Sequence, residues 1–487
     1  MNAGVMKTIH VDVAVIGAGT AGMSAYSAAR KAGKPESRIV LIESGPYGTT
    51  CARVGCMPSK LLIAAAEAAH ALAAAPAFGV HPGLVRIDGA AVMARVRSER
   101  DRFVGLVVDA INDIPAQDRI VGRARFTGPR QLQVDDHTII EAGAIVIATG
   151  STSAMPAPWR AVGARVIISD DVFEWTDLPA SVAVIGSGAI GLELGQALHR
   201  LGVRVAVFAR DATVAQISDQ LVLEKAQQVL AAQFDVRFHT AVASIVDADD
   251  ALLVTSKDGA GQERSERFDY VLAAVGRSPN VQGLGLELAQ IALDARGVPL
   301  YDPQTMQCGV SAIFIAGDAD AERAVLPEAS DQGRIAGANA GRYPGVQPGL
   351  RRTALTIAFT EPQIATVGAR YQDLCDNHAG FAVGAVSFEN QGRSRVMQQN
   401  QGMLRVYGEP GSGRFLGAEM FGPRAEHIGH LLAWACQAGL TVAQMLDMPF
   451  YHPVVEEGVR TALRDLAKAL AETPAPPEVC PEYTPGC

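Results

Sequence analysis

Two cysteines, Cys51 and Cys56, lie in the run Gly48-Thr49-Thr50-Cys51-Ala52-Arg53-Val54-Gly55-Cys56-Met57-Pro58-Ser59-Lys60. Residues five apart on an ideal helix are separated by a rise of about 7.5 Å. A disulfide needs Cα atoms roughly 4.4–6.8 Å apart. The segment must bend for the two sulfurs to meet, and Gly55 permits the bend. A strained, accessible pair of this kind points to redox chemistry rather than to a structural staple. Zinc is the rival chemistry, but it needs two more ligands, and no second Cys/His cluster lies nearby in the chain. His427 and His430, near Glu426, also lack a clear third ligand, so no metal is expected. Cys308, Cys375 and Cys436 read as isolated small hydrophobes.

The other chemistry-bearing pattern occurs twice. Val13-Ala14-Val15-Ile16-Gly17-Ala18-Gly19-Thr20-Ala21-Gly22 matches Val182-Ala183-Val184-Ile185-Gly186-Ser187-Gly188-Ala189-Ile190-Gly191. Each is an apolar β-branched run entering G-x-G-x-x-G. Glycines let a backbone approach a pyrophosphate, and a helix N-terminus offers free N–H groups and partial positive charge. One such motif is weak; two, each between a strand and a helix, predict two dinucleotide sites. Glu43, at the end of the next strand in the first copy, is placed for the ribose hydroxyls of an adenosine. The second copy has Ala209 where that acid would stand, followed by Arg210. Arginine pairs with a 2′-phosphate that an acid repels, so the second site points to NADP or to both nicotinamide cofactors.

These sites need a scaffold of strand, helix and strand. After each glycine turn comes an alanine-rich helical stretch and a second strand, Ile39–Ile42 and then Val203–Phe208. Each unit closes on a strand running into glycine: Ala144–Gly150, and Tyr270–Gly276 followed by Arg277-Ser278-Pro279-Asn280. Ile313–Ala316 is a further buried strand ending in Gly317-Asp318. The expected fold is α/β, with two Rossmann-like parallel-sheet domains. Beyond about Arg352, strand-like and helical pieces mix, which predicts a third, α+β domain. The expected order is residues 1–156 and 282–352 for the first nucleotide domain and 157–281 for the second. Residues 353–473 then form the α+β domain, and 474–487 a proline-rich tail that carries Cys480 and Cys487.

The composition excludes several classes. The 487 residues are 48% hydrophobic and 19% charged, a globular composition, and the net charge of −9 argues against nucleic acid and anionic membranes as partners. No near-continuous apolar run of about 20 residues suggests a membrane span. The N-terminus has no signal-peptide pattern. Seven sparse cysteines are not a secreted disulfide framework, so a cytoplasmic location is expected.

The cysteine segment resembles the redox-active C-x4-C of the pyridine nucleotide–disulfide oxidoreductases, which include dihydrolipoyl dehydrogenase, glutathione reductase and mercuric reductase. The resemblance covers nearly the whole chain, ending at Phe450-Tyr451-His452-Pro453-Val454-Val455-Glu456-Glu457. It implies FAD at Gly17, Gly19, Gly22, Glu43, Thr50, Thr149, Gly150, Gly317 and Asp318, and NAD or NADP at Gly186, Gly188, Gly191, Arg210 and Gly276. It implies a Cys51–Cys56 disulfide, with Cys51 exchanging with substrate and Cys56 the flavin-facing thiolate. Lys60 would stand beside the flavin, paired with Glu193. His452, oriented by Glu457, would be the acid/base and would act across a homodimer, with the third domain as its interface.

Within that family the residues favour dihydrolipoyl dehydrogenase, with a lipoyl-bearing protein or another small dithiol or disulfide as substrate. Tyr26 and Ser27 stand where glutathione reductases carry glutathione-binding arginines, and Pro58-Ser59-Lys60 replaces their Pro-Lys-Lys. Two departures remain. His452 is followed by Pro-Val-Val-Glu-Glu rather than Pro-Thr-x-Ser-Glu, and Leu326-Pro327-Glu328 replaces the Leu-Ala-His of dihydrolipoyl dehydrogenases. The alternatives are an NADPH-dependent reductase of mercuric ion or of another small disulfide, and a flavoprotein scaffold subunit of a multienzyme complex.

Overall fold

The computed structural model describes residues 6–377 and 380–472. The tail at 474–487, with Cys480 and Cys487, lies outside the described residues. The chain forms two compact units. One takes the residues up to Leu61, Ala94–Ala154 and Gly276–Arg352, and the other takes Leu62–Met93, Met155–Val275 and the chain from Thr353.

In the first unit the strand Lys7–Ile16 lies parallel between Ile39–Glu43 and Thr138–Ile147. Arg119–Val121 and Ile313–Ile315 extend the sheet in parallel, and the antiparallel pair Ala124–Gly128 and Gln131–Val134 continues it beyond Thr138–Ile147. Val13, Ala14, Val15, Ile145 and Val146 are at most 1% exposed. Burial on both faces explains why these strands read as continuous apolar runs rather than alternating ones.

The helices Thr20–Ala32 and Leu326–Arg342 pack backbone to backbone across this unit. A Cβ built on Gly333, Gly337 or Gly341 would stand 2.2, 2.1 or 2.7 Å from the carbonyl oxygens of Ala21, Ala25 and Ala29 respectively. The two ladders repeat every four residues, which places each on one helix face. A backbone carbonyl cannot rotate out of the way as a side chain can. Gly337→Ala should therefore destabilise the protein by about 1–3 kcal/mol, despite the roughly 1 kcal/mol that alanine gains over glycine in a helix. Gly105→Ala, at a helical glycine whose Cβ would meet nothing within 4 Å, should instead raise the thermal midpoint. If both changes move the midpoint upward, the ladder is not the tight contact described.

The second unit repeats the arrangement. Its parallel sheet runs Asp235–Arg237, Arg204–Phe208, Ser181–Ile185, Tyr270–Ala273 and Val166–Ile167. From Thr353 onward the chain builds an antiparallel sheet in the order Leu355–Ala358, Gln363–Gly368, Phe415–Gly422, Met403–Gly408 and Ala382–Ser387. The helices Ala425–Gln437 and Glu457–Ala471 bury Ile428, Leu432, Leu463 and Leu466 in one core with Val406, Phe415 and Met420 of that sheet. The α/β class with an added α+β part is the expected one.

Contrary to the hydropathy reading, the helical run Thr50–Phe78 is long and apolar enough, by length and composition, to cross a membrane. Its apolarity is mainly that of alanine, and Lys60, Glu67 and His70 stand along it. Cys375 is also not an isolated hydrophobe: it is disulfide-bonded.

Candidate active site

Thr49 opens the cysteine segment with φ +59°, and its hydroxyl accepts the Ala52 amide at 3.3 Å, capping the short helix Thr50–Val54. That helix stops at Gly55, whose φ −129° and ψ −117° turn the chain, and a second helix, Cys56–Ala74, starts at once. A Cβ at Gly55 would stand 3.0 Å from the Thr50 carbonyl oxygen and 3.2 Å from the Cys51 Cα. Glycine thus lets the two helices close on each other at the bend expected there.

The pair is a dithiol in this structure. Cys51 is half-buried and Cys56 exposed. The hydrogen bond to Cys56, then burial, then the negative charge of Cys56 push the Cys51 thiol far above its ordinary range; Lys60 pulls the other way. The thiolate form of Cys51 is thereby disfavoured. Cys56 is also the first residue of its helix, where the helix dipole favours a thiolate.

The two glycine turns are matched at the level of backbone atoms. Gly17 has φ +107° and Gly186 φ +114°. A Cβ would stand 2.2 Å from Ala148 O at the first and 2.3 Å from Ala274 O at the second. Gly22 and Gly191 are equally closed, at 1.8 and 2.2 Å from the carbonyls of Gly17 and Gly186. Gly19 and Gly188 face open space, with nothing within 4 Å, and each is the N-cap of a helix with no side-chain cap of its own. Closed glycines shape the turn, and open ones leave room for a phosphate against bare amides.

Around the first turn the residues fit FAD. Both Glu43 oxygens are engaged, accepting the Ala18 and Gly45 amides at 2.8 Å each. Thr149 Oγ1 is buried with no hydrogen-bond partner among the described residues, and Gly150, at φ +68°, faces open space. Asp318 Oδ2 accepts the Ser151 hydroxyl at 2.6 Å. Arg277 holds that serine through Nε to Oγ at 2.7 Å and Nη2 to the carbonyl at 2.8 Å. Sequence reasoning missed Ser151 and Arg277 as supports of Asp318. The one signal was their position just after the two strand-to-glycine exits, whose strands Ser151–Ser153 and Arg277–Pro279 pair antiparallel. Gly276 opens that second strand with φ +114° and faces open space. Thr50 is exposed at the start of its helix.

In the second unit Arg210 is 81% exposed, and its guanidinium rests on the neighbouring Asp211 at 3.1–3.2 Å. That carboxylate offsets the charge offered to a 2′-phosphate. Glu193 is buried, and its carboxylate accepts the Phe359 amide at 2.8 Å. His452 is exposed, and its Nδ1 lies 3.0 and 3.1 Å from the two Glu457 oxygens. Glu457 is held below the ordinary carboxylate range by that hydrogen bond first, with the Val454 amide and Arg460 also contributing. An ionised Glu457 makes Nδ1 the donor and leaves Nε2 as the base, open to solvent. Lys60 belongs to one unit and Glu193 to the other, as do the cysteines and His452.

A family model described as pyridine nucleotide-disulphide oxidoreductase matches residues 11–334, and the dimerisation domain of the same description matches 355–463. Mercuric reductase of Shigella flexneri is 30% identical over 95% of this chain and 82% of its own length. Dihydrolipoyl dehydrogenase of Halobacterium salinarum is 30% identical over 93% and 95%. Among solved structures, LpdA from Mycobacterium tuberculosis shares the fold with a TM-score of 0.79 at 24% identity, covering 93% of this chain and 99% of its own. The flavoprotein disulfide reductase RclA from Escherichia coli does so with a TM-score of 0.78 at 22%, covering 94% and 99%.

Proposed function

The chain belongs to the pyridine nucleotide-disulphide oxidoreductase family, and on that premise we propose that it oxidises dihydrolipoamide, free or protein-borne, to lipoamide with NAD(P)+. It is an oxidoreductase that uses FAD and NAD(P), and its dimerisation domain supports a homodimer. The observation that supports this reading is the Cys51/Cys56 pair, free as thiols and set on two helices that close on each other at Gly55.

In the oxidised enzyme the two cysteines share a disulfide. The imidazole of His452, from the partner in the homodimer, takes the proton of one substrate thiol. The resulting thiolate attacks Cys51 Sγ, and Cys56 leaves as a thiolate. The second substrate sulfur then displaces Cys51, which takes up the remaining proton, and the lipoamide disulfide closes. The substrate thereby loses two electrons and two protons, leaving a Cys51 thiol, a Cys56 thiolate and a protonated His452. Bound FAD supplies a two-electron acceptor and NAD(P)+ a hydride acceptor. Gly17, Gly19, Gly22, Glu43, Thr50, Thr149, Gly150, Gly317, Asp318 and Lys60 hold the former. Gly186, Gly188, Gly191, Arg210 and Gly276 hold the latter. We place this chemistry in the cytoplasm, where dithiols stay reduced.

The mercuric reductase relative favours a second reading, NADPH-driven reduction of mercuric ion, at equal identity. Parallel assays separate the two: NAD(P)+ reduction by dihydrolipoamide, and NADPH oxidation by mercuric ion or glutathione disulfide. Turnover in the first is expected; turnover only in the second overturns the lipoamide reading.

Coenzyme choice gives a smaller effect. Asp211→Asn frees Arg210, so the ratio of kcat/KM for NADP+ over NAD+ should rise about two- to fivefold, the scale of an exposed ion pair. An unchanged ratio would remove Arg210 from coenzyme selection.

A further inference from the structure

We propose that Gln332 is a positioning residue of the FAD site, setting through its side-chain amide the Gly317–Asp318 corner that meets the cofactor. It rests on FAD being the cofactor and on nothing about the substrate.

Gln332 is fully buried on the helix Leu326–Arg342 and immediately precedes Gly333, one of the glycines locked against Ala21. That close packing fixes the height of Gln332 relative to the first glycine turn. Its Oε1 accepts the Gly317 amide at 2.7 Å. Gly317 is in the left-handed region at φ +71°, and a Cβ there would stand 2.8 Å from the Ala21 Cβ. The corner is therefore held from both sides, by an amide bond and by the first helix. Asp318 follows directly in the tight turn Gly317–Asp320, its carboxylate on Ser151.

The far end of the amide fixes its orientation. Nε2 reaches Glu328 Oε1 at 3.4 Å, and the same amide acts to lower the pKa of the neighbouring Asp320 carboxyl. Glu328 is paired with Arg351 and, at 4.0 Å, with Arg323. Asp320 is met by the Tyr301 hydroxyl at 3.0 Å and the Glu322 amide at 2.8 Å, and the Glu322 carboxylate lies 3.1 Å from Arg351. An amide has one accepting oxygen and one donating nitrogen. Flipped, it would turn its oxygen on two carboxyls and its N–H₂ on the Gly317 N–H. Only one orientation is consistent, and among side chains of this length only the amide offers both an acceptor and donors at every pH.

The test is the FAD dissociation constant of the holoenzyme, followed by flavin fluorescence on release at pH 8.5 and pH 5.5. Gln332→Met leaves the buried Gly317 N–H unpartnered and should weaken FAD binding about tenfold or more at both pH values. Gln332→Glu keeps the acceptor but sets a third carboxylate against Glu328 and Asp320. It should be as weak at pH 8.5 and recover at pH 5.5, where the protonated acid again donates. Asp320, pushed up to about 6 mainly by burial, titrates in the same range, so each variant is read against wild type at the same pH. If Gln332 acts through the corner, the double variant Asp318→Ala, Gln332→Met should bind FAD little worse than Asp318→Ala alone. Wild-type affinity in Gln332→Met, multiplying losses in the double variant, or a pH-independent ratio for Gln332→Glu each overturns the proposal. Should Gln332→Met fail to fold, the pH dependence of Gln332→Glu still decides.

Discussion

Replacing Cys56 with serine should lower dithiol–disulfide turnover of the holoenzyme by roughly a thousandfold or more, the scale on which losing a covalent nucleophile acts. Cys51→Ser should be equally inactive, because the exchange needs both sulfurs, so turnover alone does not assign the two roles. Thiol reactivity does. In the reduced pair Cys51 is driven toward its protonated form by its hydrogen bond to Cys56, by burial and by the charge on Cys56. Removing Cys56 takes away the first and third causes but leaves burial. Cys56 is exposed at a helix start. In FAD-free protein near neutral pH, iodoacetamide should therefore alkylate Cys56 of the Cys51→Ser variant at least about tenfold faster than Cys51 of the Cys56→Ser variant, because the thiolate is the reactive form. The reverse order would exchange the assignments of the two cysteines.

His452→Gln should lower turnover by roughly a hundredfold or more, within the range for a positioned acid/base. The side chain is 80% exposed, and its one described partner is Glu457, so its loss removes little packing. FAD content and the thermal midpoint should stay near wild type, which separates a chemical loss from a folding loss. Glu457→Gln supplies the companion measurement. The ionised carboxylate can only accept, which forces Nδ1 to donate and frees Nε2. An amide can donate instead and so permits the other tautomer, as in triads whose orienting carboxylate is lost. Turnover should fall, but less than in His452→Gln. Near-wild-type turnover in His452→Gln would remove the imidazole from the mechanism.

The features legible in the sequence are those whose cause is local. Gly17 and Gly186 are glycines because the turn needs positive φ beside a carbonyl, a requirement written in ten consecutive residues. The bend at Gly55 follows from two cysteines spaced too far along a straight helix to meet. His452 and Glu457 lie one turn and a residue apart, so a short excursion closes their hydrogen bond. The buried strands announced themselves because both faces of each sheet are covered. The tertiary structure decided what depends on segments far apart in the chain. Asp318 is aimed by Ser151 and Arg277, from two exits more than a hundred residues apart. The ladder Gly333, Gly337 and Gly341 looks like scattered small residues until Ala21, Ala25 and Ala29 are seen against it. Gln332 reads as one more polar helix residue until the fold buries it against Gly317. A side chain's partner across such distances is set by the path of the chain and the closeness of packing, which no local spacing encodes. Arg210 is a different case: Asp211 is adjacent in the sequence, but only the side-chain conformation joins the two charges.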